Sequence, residues 1–217
     1  MGEQVYDHAV DRLSGGDDAA ASGSASDRVI TSGIAWRGGE KPGVSVRPPR
    51  RAPAREARPG VIVGSSRQAR ELREKIDLYA DDLSPVLVVG ETGVGKELVA
   101  RELHRLSARA GRPFVPVNAG AIPESLAASE LFGHAKGAFT GAIAERDGAF
   151  QLADSGVLLV DEIGDMPASI QAQLLRVLDD GVVTRLGARA GEKVDIRLVA
   201  ATNVDLRRNV ASGAFRR

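Results

Sequence analysis

Apolar residues fall into short, spaced runs from about residue 61 onward, and show little sustained period before it. Val61-Ile62-Val63-Gly64 marks where order is expected to begin. Ser65 or Ser66 then stands before Ala69, Leu72, Ile76 and Tyr79, a helical spacing with a hydroxyl cap in front of it. Val86–Val89 is a four-residue apolar block, which reads as a buried strand, and Glu97–Arg109 reads as a helix. Phe114–Val117 is a further strand. Ile122–Phe132 has a helical pattern, with Pro123 in its first turn. Val157–Val160 is a second fully apolar strand, and Pro167 opens a helix that runs to about Leu178. Val182–Leu186 and Val194–Ala200 read as strands, and Asp205–Val210 as a last helix. Strands that alternate with helices predict an α/β fold, a parallel sheet with helices on both faces.

Residues 1–60 differ in kind. They are rich in Gly, Ser, Ala, Pro and Asp, and only Val29–Trp36 has the pattern of a short strand. The expectation is a disordered or linker-like N-terminal segment followed by one domain over 61–217. Residues 1–27 carry six acids against Arg12 alone, whereas 41–60 carry Lys41 and five arginines against Glu56, with five prolines interleaved. That basic stretch reads as a solvated linker. The competing reading, a nucleic-acid or partner arm, lacks aromatic residues on which bases could stack. The chain has no cysteine, so disulfides and thiolate metal sites are excluded. Its apolar runs are too short to span a bilayer and its start has no signal-peptide pattern, which points to a cytoplasmic protein without a membrane partner.

The chemistry concentrates in three places. Gly90-Glu91-Thr92-Gly93-Val94-Gly95-Lys96 sits between an apolar strand and a helix. In that position glycines let backbone N–H groups approach phosphate oxygens, the helix N-terminus adds a positive dipole, and lysine adds a full charge. The general Walker A pattern then puts Ser or Thr after the lysine to hold magnesium, but here the residue is Glu97. Asp161-Glu162 ends the Val157–Val160 run, as a Walker B pair does. An acid there can hold Mg2+, and its neighbour can polarise an attacking water. Ile196–Ala201 ends in Thr202-Asn203, whose polar groups can sense a terminal phosphate, and Asn118 ends another strand near the same edge. Between the two acidic and basic halves lies Gly137-Ala138-Phe139-Thr140-Gly141-Ala142, a hexapeptide with no nucleotide chemistry of its own.

Taken together, residues 61–217 resemble the AAA+ domain of bacterial sigma-54-dependent transcriptional activators, the enhancer-binding proteins, built on a P-loop NTPase core. The resemblance rests on Gly90-Glu-Thr-Gly-Val-Gly-Lys-Glu97 and on Glu130-Leu-Phe-Gly-His-Ala-Lys-Gly-Ala-Phe-Thr-Gly-Ala142. It continues through Leu159-Val-Asp-Glu-Ile-Gly-Asp165, Leu174-Leu-Arg-Val-Leu178 and Ala201-Thr-Asn203. Glu97 is the normal residue of that family, and the hexapeptide is close to diagnostic for it. The resemblance implies ATP and Mg2+ as ligands, with Lys96 on the β and γ phosphates and Asp161 on the metal. It implies that Glu162 activates water, that Asn118 restrains Glu162, and that Thr202 and Asn203 form the first sensor. It makes residues 137–142, with Phe139 and Thr140 at the tip, the contact with sigma-54 RNA polymerase holoenzyme. Arg185 falls in a second contact loop, in Arg-Leu-Gly-Ala where the family has Arg-Leu-Gly-Gly. Gly213-Ala-Phe-Arg216 matches the arginine-finger segment, so Arg216 would act in a neighbouring subunit of a homo-oligomeric ring.

Against that family pattern, the helical lid, a second finger arginine and a DNA-binding helix-turn-helix have no counterpart before Arg217. A lid wall of on the order of 100 Å² of apolar contact would be worth ~2.5 kcal/mol to a nucleotide. The expectation is therefore a chain that binds ATP weakly, assembles poorly, turns over slowly and has no sequence-specific DNA binding. Two functions remain open: an ATPase module that remodels sigma-54 polymerase, or a truncated nucleotide-binding fragment with little or no turnover that acts as an interaction or dominant-negative subunit or has no function. A generic remodeller of other proteins is disfavoured by the intact hexapeptide.

Overall fold

The computed structural model describes residues 62–216. The expectations for residues 1–60, including the strand over Val29–Trp36, lie outside the described residues.

Helix α1 (Arg67–Ala80) starts where Ser66 Oγ accepts a hydrogen bond from the Ala69 N–H at 3.1 Å. It buries Leu72, Ile76 and Ala80, one residue per turn. Strand β1 (Val86–Val89) leads into the glycine loop and then α2 (Lys96–Leu106), which buries Val99, Ala100 and Leu103. Next come β2 (Phe114–Asn118), a 3-10 turn at Ala119–Ala121, α3 (Glu124–Phe132) and the single-turn α4 (Ala149–Leu152). Strand β3 (Val157–Asp161), a second 3-10 turn at Ile163–Asp165, and α5 (Ala168–Asp180) follow. The described chain closes with β4 (Val182–Val183), β5 (Glu192–Lys193), β6 (Arg197–Thr202) and α6 (Leu206–Ala211).

Four strands form one parallel sheet in the order β1-β6-β3-β2. The alternation of β3 across its two faces accounts for the layers. Val157 and Leu159 pack against α1 and α2, while Leu158 and Val160 pack against the side that carries α3, α4 and α5. A strand covered on both faces favours apolar residues along its length, which is why Val157–Val160 of β3 and Leu198–Ala201 of β6 are unbroken hydrophobic runs. The parallel sheet flanked by helices is the α/β architecture that the alternation of strands and helices predicts.

Helix and strand boundaries moved where backbone pairing, not hydropathy, decided them. The helix expected over Ile122–Phe132 starts at Glu124, with Pro123 at the N-cap position rather than inside the first turn. Proline disfavours helical backbone in the residue before it, which keeps Ile122 extended. The strand expected over Val182–Leu186 is only Val182–Val183, paired antiparallel with Glu192–Lys193 as a ribbon of its own. Leu186 instead bonds a different loop, its N–H donating to Gly133 O at 3.0 Å. The strand expected from Val194 begins at Arg197, because the Val194 N–H donates to Gly181 O. Helix α4 was not legible at all. It is one turn long, held by the Gln151 side chain accepting from the Gly148 N–H at 3.0 Å.

One buried charge props the sheet from below. Arg197, the first residue of β6, is fully buried and donates to the carbonyls of Tyr79 and Ala80 at the C-terminal end of α1. That end of a helix carries partial negative charge, so a cation is favoured there. Burial still pulls the guanidinium pKa below its ordinary value, offset by Asp82 and Asp81, and its Nε has no hydrogen-bond partner. Among the described residues, no helix is long and apolar enough to cross a membrane.

Candidate nucleotide site and exposed loop

The glycine loop leaves β1 at the carboxyl edge of the sheet. Gly93 and Gly95 have φ of 83° and 92°, left-handed values that a side chain disfavours, and they turn the backbone into the start of α2. The Gly90 N–H is fixed by Thr202 O at 3.1 Å, so the loop is tied to the end of β6. Glu91, Thr92 and Val94 complete the turn, with a long Val94 N–H contact to Glu91 O. Lys96 opens α2 and is only 5% exposed. Its Nζ donates to Gly90 O at 3.2 Å and Glu91 O at 3.3 Å, and lies 3.4 Å from Glu162 Oε1.

Glu162 holds the centre of this edge. It follows β3 with φ 52° and ψ 47°, a left-handed conformation worth about 1–2 kcal/mol of strain for a residue with a Cβ. Such strain persists only where the surroundings over-determine it, and here they do. Glu162 N–H donates to Asp161 Oδ1 at 3.0 Å, and Glu162 Oε2 accepts from the Asn203 N–H at 3.2 Å. The Asn203 side chain reaches the other way and donates to Thr92 Oγ1 at 3.0 Å. Asn203 therefore bridges the acid and the glycine loop. Thr202 is fully buried, its Oγ1 accepting from the Val204 N–H, so it shapes the turn and does not face the cleft.

Asn118 lies opposite Asp161 across the β2–β3 pair, but its Oδ1 accepts from the Ala121 N–H at 3.1 Å and caps the 3-10 turn. The restraint on Glu162 that the resemblance implies for Asn118 is not among the hydrogen bonds of the described residues. The two approach one another through Gly120, where an added Cβ would stand 3.1 Å from Asp165 Oδ2, 3.5 Å from Asn118 Oδ1 and 3.7 Å from Glu162 Cβ. Nothing in the sequence pattern singles out Gly120; only the fold reveals the crowding. Glu97 pairs with Arg101 one turn along α2 at 2.6 Å, with both side chains about half exposed. Arg216 is exposed, and its backbone N–H donates to Gln171 Oε1 at 2.8 Å.

The hexapeptide is elsewhere. Gly137 and Gly141 have positive φ, the Gly137 N–H donates to Ala142 O at 2.8 Å, and the Ala142 N–H donates to Phe139 O at 3.0 Å. These bonds fold residues 137–142 into a closed turn that buries Ala142 and leaves Phe139 42% exposed, with Ala138 and Thr140 beside it. Arg185 is held among three acids. It contacts Asp147 at 2.5 Å, Glu192 at 2.8 Å and, at a longer 3.4 Å from Nε, Glu145. The hydrogen bond to Asp147, with the neighbouring acids, raises its pKa above the usual arginine value against the opposing effect of burial. A guanidinium so engaged braces the stem of the hexapeptide loop.

A parallel sheet with a phosphate-type loop, an acidic pair at its edge and an inserted exposed turn has a counterpart among known families. The model of the Sigma-54 interaction domain matches residues 62–217. The chain belongs to that family. The sigma-54 interaction domain of this chain is 52% identical over 157 residues to the nitric oxide reductase transcription regulator NorR2 of Cupriavidus necator, covering 72% of this chain and 30% of the relative. It is 48% identical over 169 residues to the sigma-54-dependent transcriptional regulator SfnR of Pseudomonas fluorescens, covering 78% of this chain and 46% of the relative. Among solved structures it is similar to NtrX of Brucella abortus in complex with ATP, at 39% identity and a TM-score of 0.66, over 72% of this chain and 35% of that one. The chain thus spans less than half the length of these relatives.

Proposed function

We propose that this sigma-54 interaction domain binds ATP with Mg2+ and couples its hydrolysis to remodelling of the sigma-54 RNA polymerase holoenzyme. The observation that carries the reading is the convergence of Lys96, Glu162 and Asn203 at one edge of the sheet, within hydrogen-bonding reach of the glycine loop. Backbone N–H groups of the loop and the N-terminus of α2 receive the phosphates, and Lys96 moves from the loop carbonyls and Glu162 onto them. That transfer frees Glu162 to accept a proton from water. Asn203, bonded to Glu162 through its backbone and to Thr92 through its side chain, registers the change at the terminal phosphate.

Asp161 offers hard oxygen donors that fit magnesium, and no group of three or more metal-type side chains exists among the described residues. That donor set suits an ion held mainly by phosphates and water. When bound, magnesium supplies charge neutralisation on the phosphates. An arginine delivered across a subunit boundary, the role assigned to Arg216, is worth about 10³–10⁵ in rate, so turnover would depend on assembly into a ring. Phe139 and Thr140, at the exposed turn, are the residues offered to sigma-54.

Purified chain titrated with a fluorescent ATP analogue and Mg2+ tests the first half. Saturable binding that weakens at least tenfold in Lys96→Ala is expected, and equal binding by both would overturn it. Capture of sigma-54 by the chain in ADP–aluminium fluoride tests the second half, with loss of capture expected in Phe139→Ala. A nucleotide-binding fragment that lacks useful turnover would pass the first test and fail the second.

A further inference from the structure

His134 lies outside the nucleotide site and has no part in hydrolysis, yet it sits where three segments meet. Its backbone N–H donates to Arg146 O at 3.0 Å and its carbonyl accepts from the Arg146 N–H at 2.9 Å, which closes the stem of the hexapeptide loop. On either side of it, Gly133 O accepts from the Leu186 N–H and the Ala135 N–H donates to Leu186 O, which joins the second loop to the same point. The side chain is 9% exposed. Its Nδ1 shares a 2.7 Å hydrogen bond with Ser129 Oγ, from the last turns of α3, and Ser129 is itself buried. The ring then meets the Phe139 ring edge-on, with centroids 5.0 Å apart and planes at 63°.

A buried imidazole fixed on one side by a hydroxyl and placed on the other under an exposed aromatic ring is a built seat. We propose that His134, oriented by Ser129, is the positioning residue that presents Phe139 to its partner. The turn at 137–142 is shaped by its own backbone bonds, with the Ala138 N–H also donating to Ala135 O and Ala138 lying beside Gly187. Those contacts place the backbone of the turn, and the edge-on contact orients the Phe139 ring on it. An aromatic pair of this geometry is worth enough to bias the ring toward one orientation, on the order of threefold to tenfold in population. A ring already oriented loses less freedom on docking, so the seat raises affinity without touching the partner. The last step of this inference rests on the reading of Phe139 as the sigma-54 contact; the seat itself does not.

The whole chain labelled with 4-fluorophenylalanine carries five fluorine resonances, and Phe139→Leu identifies the one from the loop. In the wild type that resonance is expected away from the position of a solvent-exposed ring, because the imidazole lies against it. His134→Gln should move it toward the exposed position and leave the other four in place, while His134→Phe, which keeps a ring, restores most of the displacement. An unmoved Phe139 resonance in a folded His134→Gln chain would overturn the proposal. Should His134→Gln unfold, so that all the resonances collapse, Ser129→Ala decides: a Phe139 signal that moves supports the seat, and one that does not overturns it. Where wild-type chain captures sigma-54, His134→Gln should weaken capture by about threefold to tenfold with ATP affinity unchanged, and His134→Phe should recover it. Absence of capture by the wild type would count against the sigma-54 reading alone, with the fluorine spectra still judging the seat.

Discussion

The cleft around Glu162 and the turn around Phe139 are built on opposite principles. Lys96 is 5% exposed, the Gly90 N–H beside it donates to Thr202 O at the end of β6, and Glu162 accepts from the Asn203 N–H just past that strand. Strands β3 and β6 cannot shift without opening both cores, so the cleft is preorganised by the sheet. Phe139, by contrast, is 42% exposed and leaves the domain on a stem held by backbone pairing, the Arg185 cluster and one ring contact. The proposed phosphoryl chemistry, which depends on tenths of an ångström, would sit on the rigid element, and the surface proposed for sigma-54 on the one with little to lose by moving.

The largest test of that contrast is catalytic. Glu162→Gln keeps the shape of the side chain and removes the proton acceptor, so turnover should fall by about 10²–10⁴ with nucleotide affinity retained, as measured by ATPase assay beside a binding titration. Equal loss of both would place Glu162 in binding and not in hydrolysis. The rigid side of the contrast is tested by Leu159→Ala, at a position only 1% exposed in the middle of β3. It should cost about 2–5 kcal/mol in urea unfolding. A cost below about 1 kcal/mol would mean the sheet relaxes around the cavity and does not hold the cleft rigidly.

Smaller effects belong to the loop. Arg185→Ala removes an ion cluster whose acidic partners are largely exposed, so global stability should drop by only about 1 kcal/mol. Amide exchange should nevertheless quicken across residues 133–147 and stay unchanged in β3; uniform exchange would show that the stem and the core open together. Phe139→Ala should change stability least, by under about 1 kcal/mol, because a half-exposed side chain leaves little cavity. A melting temperature several degrees lower would show that Phe139 contributes to the fold and is not held apart for a partner.

Much of the site was visible as spacing. Gly90 to Lys96 lies between an apolar strand and a helix, and Asp161-Glu162 ends an apolar strand, because a phosphate cradle and its acid must stand side by side at the carboxyl edge of the sheet. The positions that misled are those whose apolar side chain is satisfied in more than one way. Val194 and Leu186 read as strand residues, but Val194 bonds Gly181 and Leu186 bonds Gly133, partners no local pattern contains. Asn118 does stand opposite Asp161, as its place at a strand end suggested, while its side chain is bonded to the Ala121 N–H. His134 carried no signal, since its partners lie five residues before and five after it, off any helical or strand period.

What the chain fixes locally is the set of elements and their chemistry: continuous apolar runs that must be covered on both faces, a capped amphipathic α1, and glycines where the backbone turns left-handed. Those follow from steric and hydrophobic rules that act within a dozen residues. Tertiary structure alone decided that Glu162 adopts a left-handed conformation between Lys96 and Asn203, and that a buried histidine lies under Phe139. Such contacts join residues far apart in sequence or out of period. Their energies come from packing and hydrogen bonds that exist only once the sheet has brought the ends of its strands together.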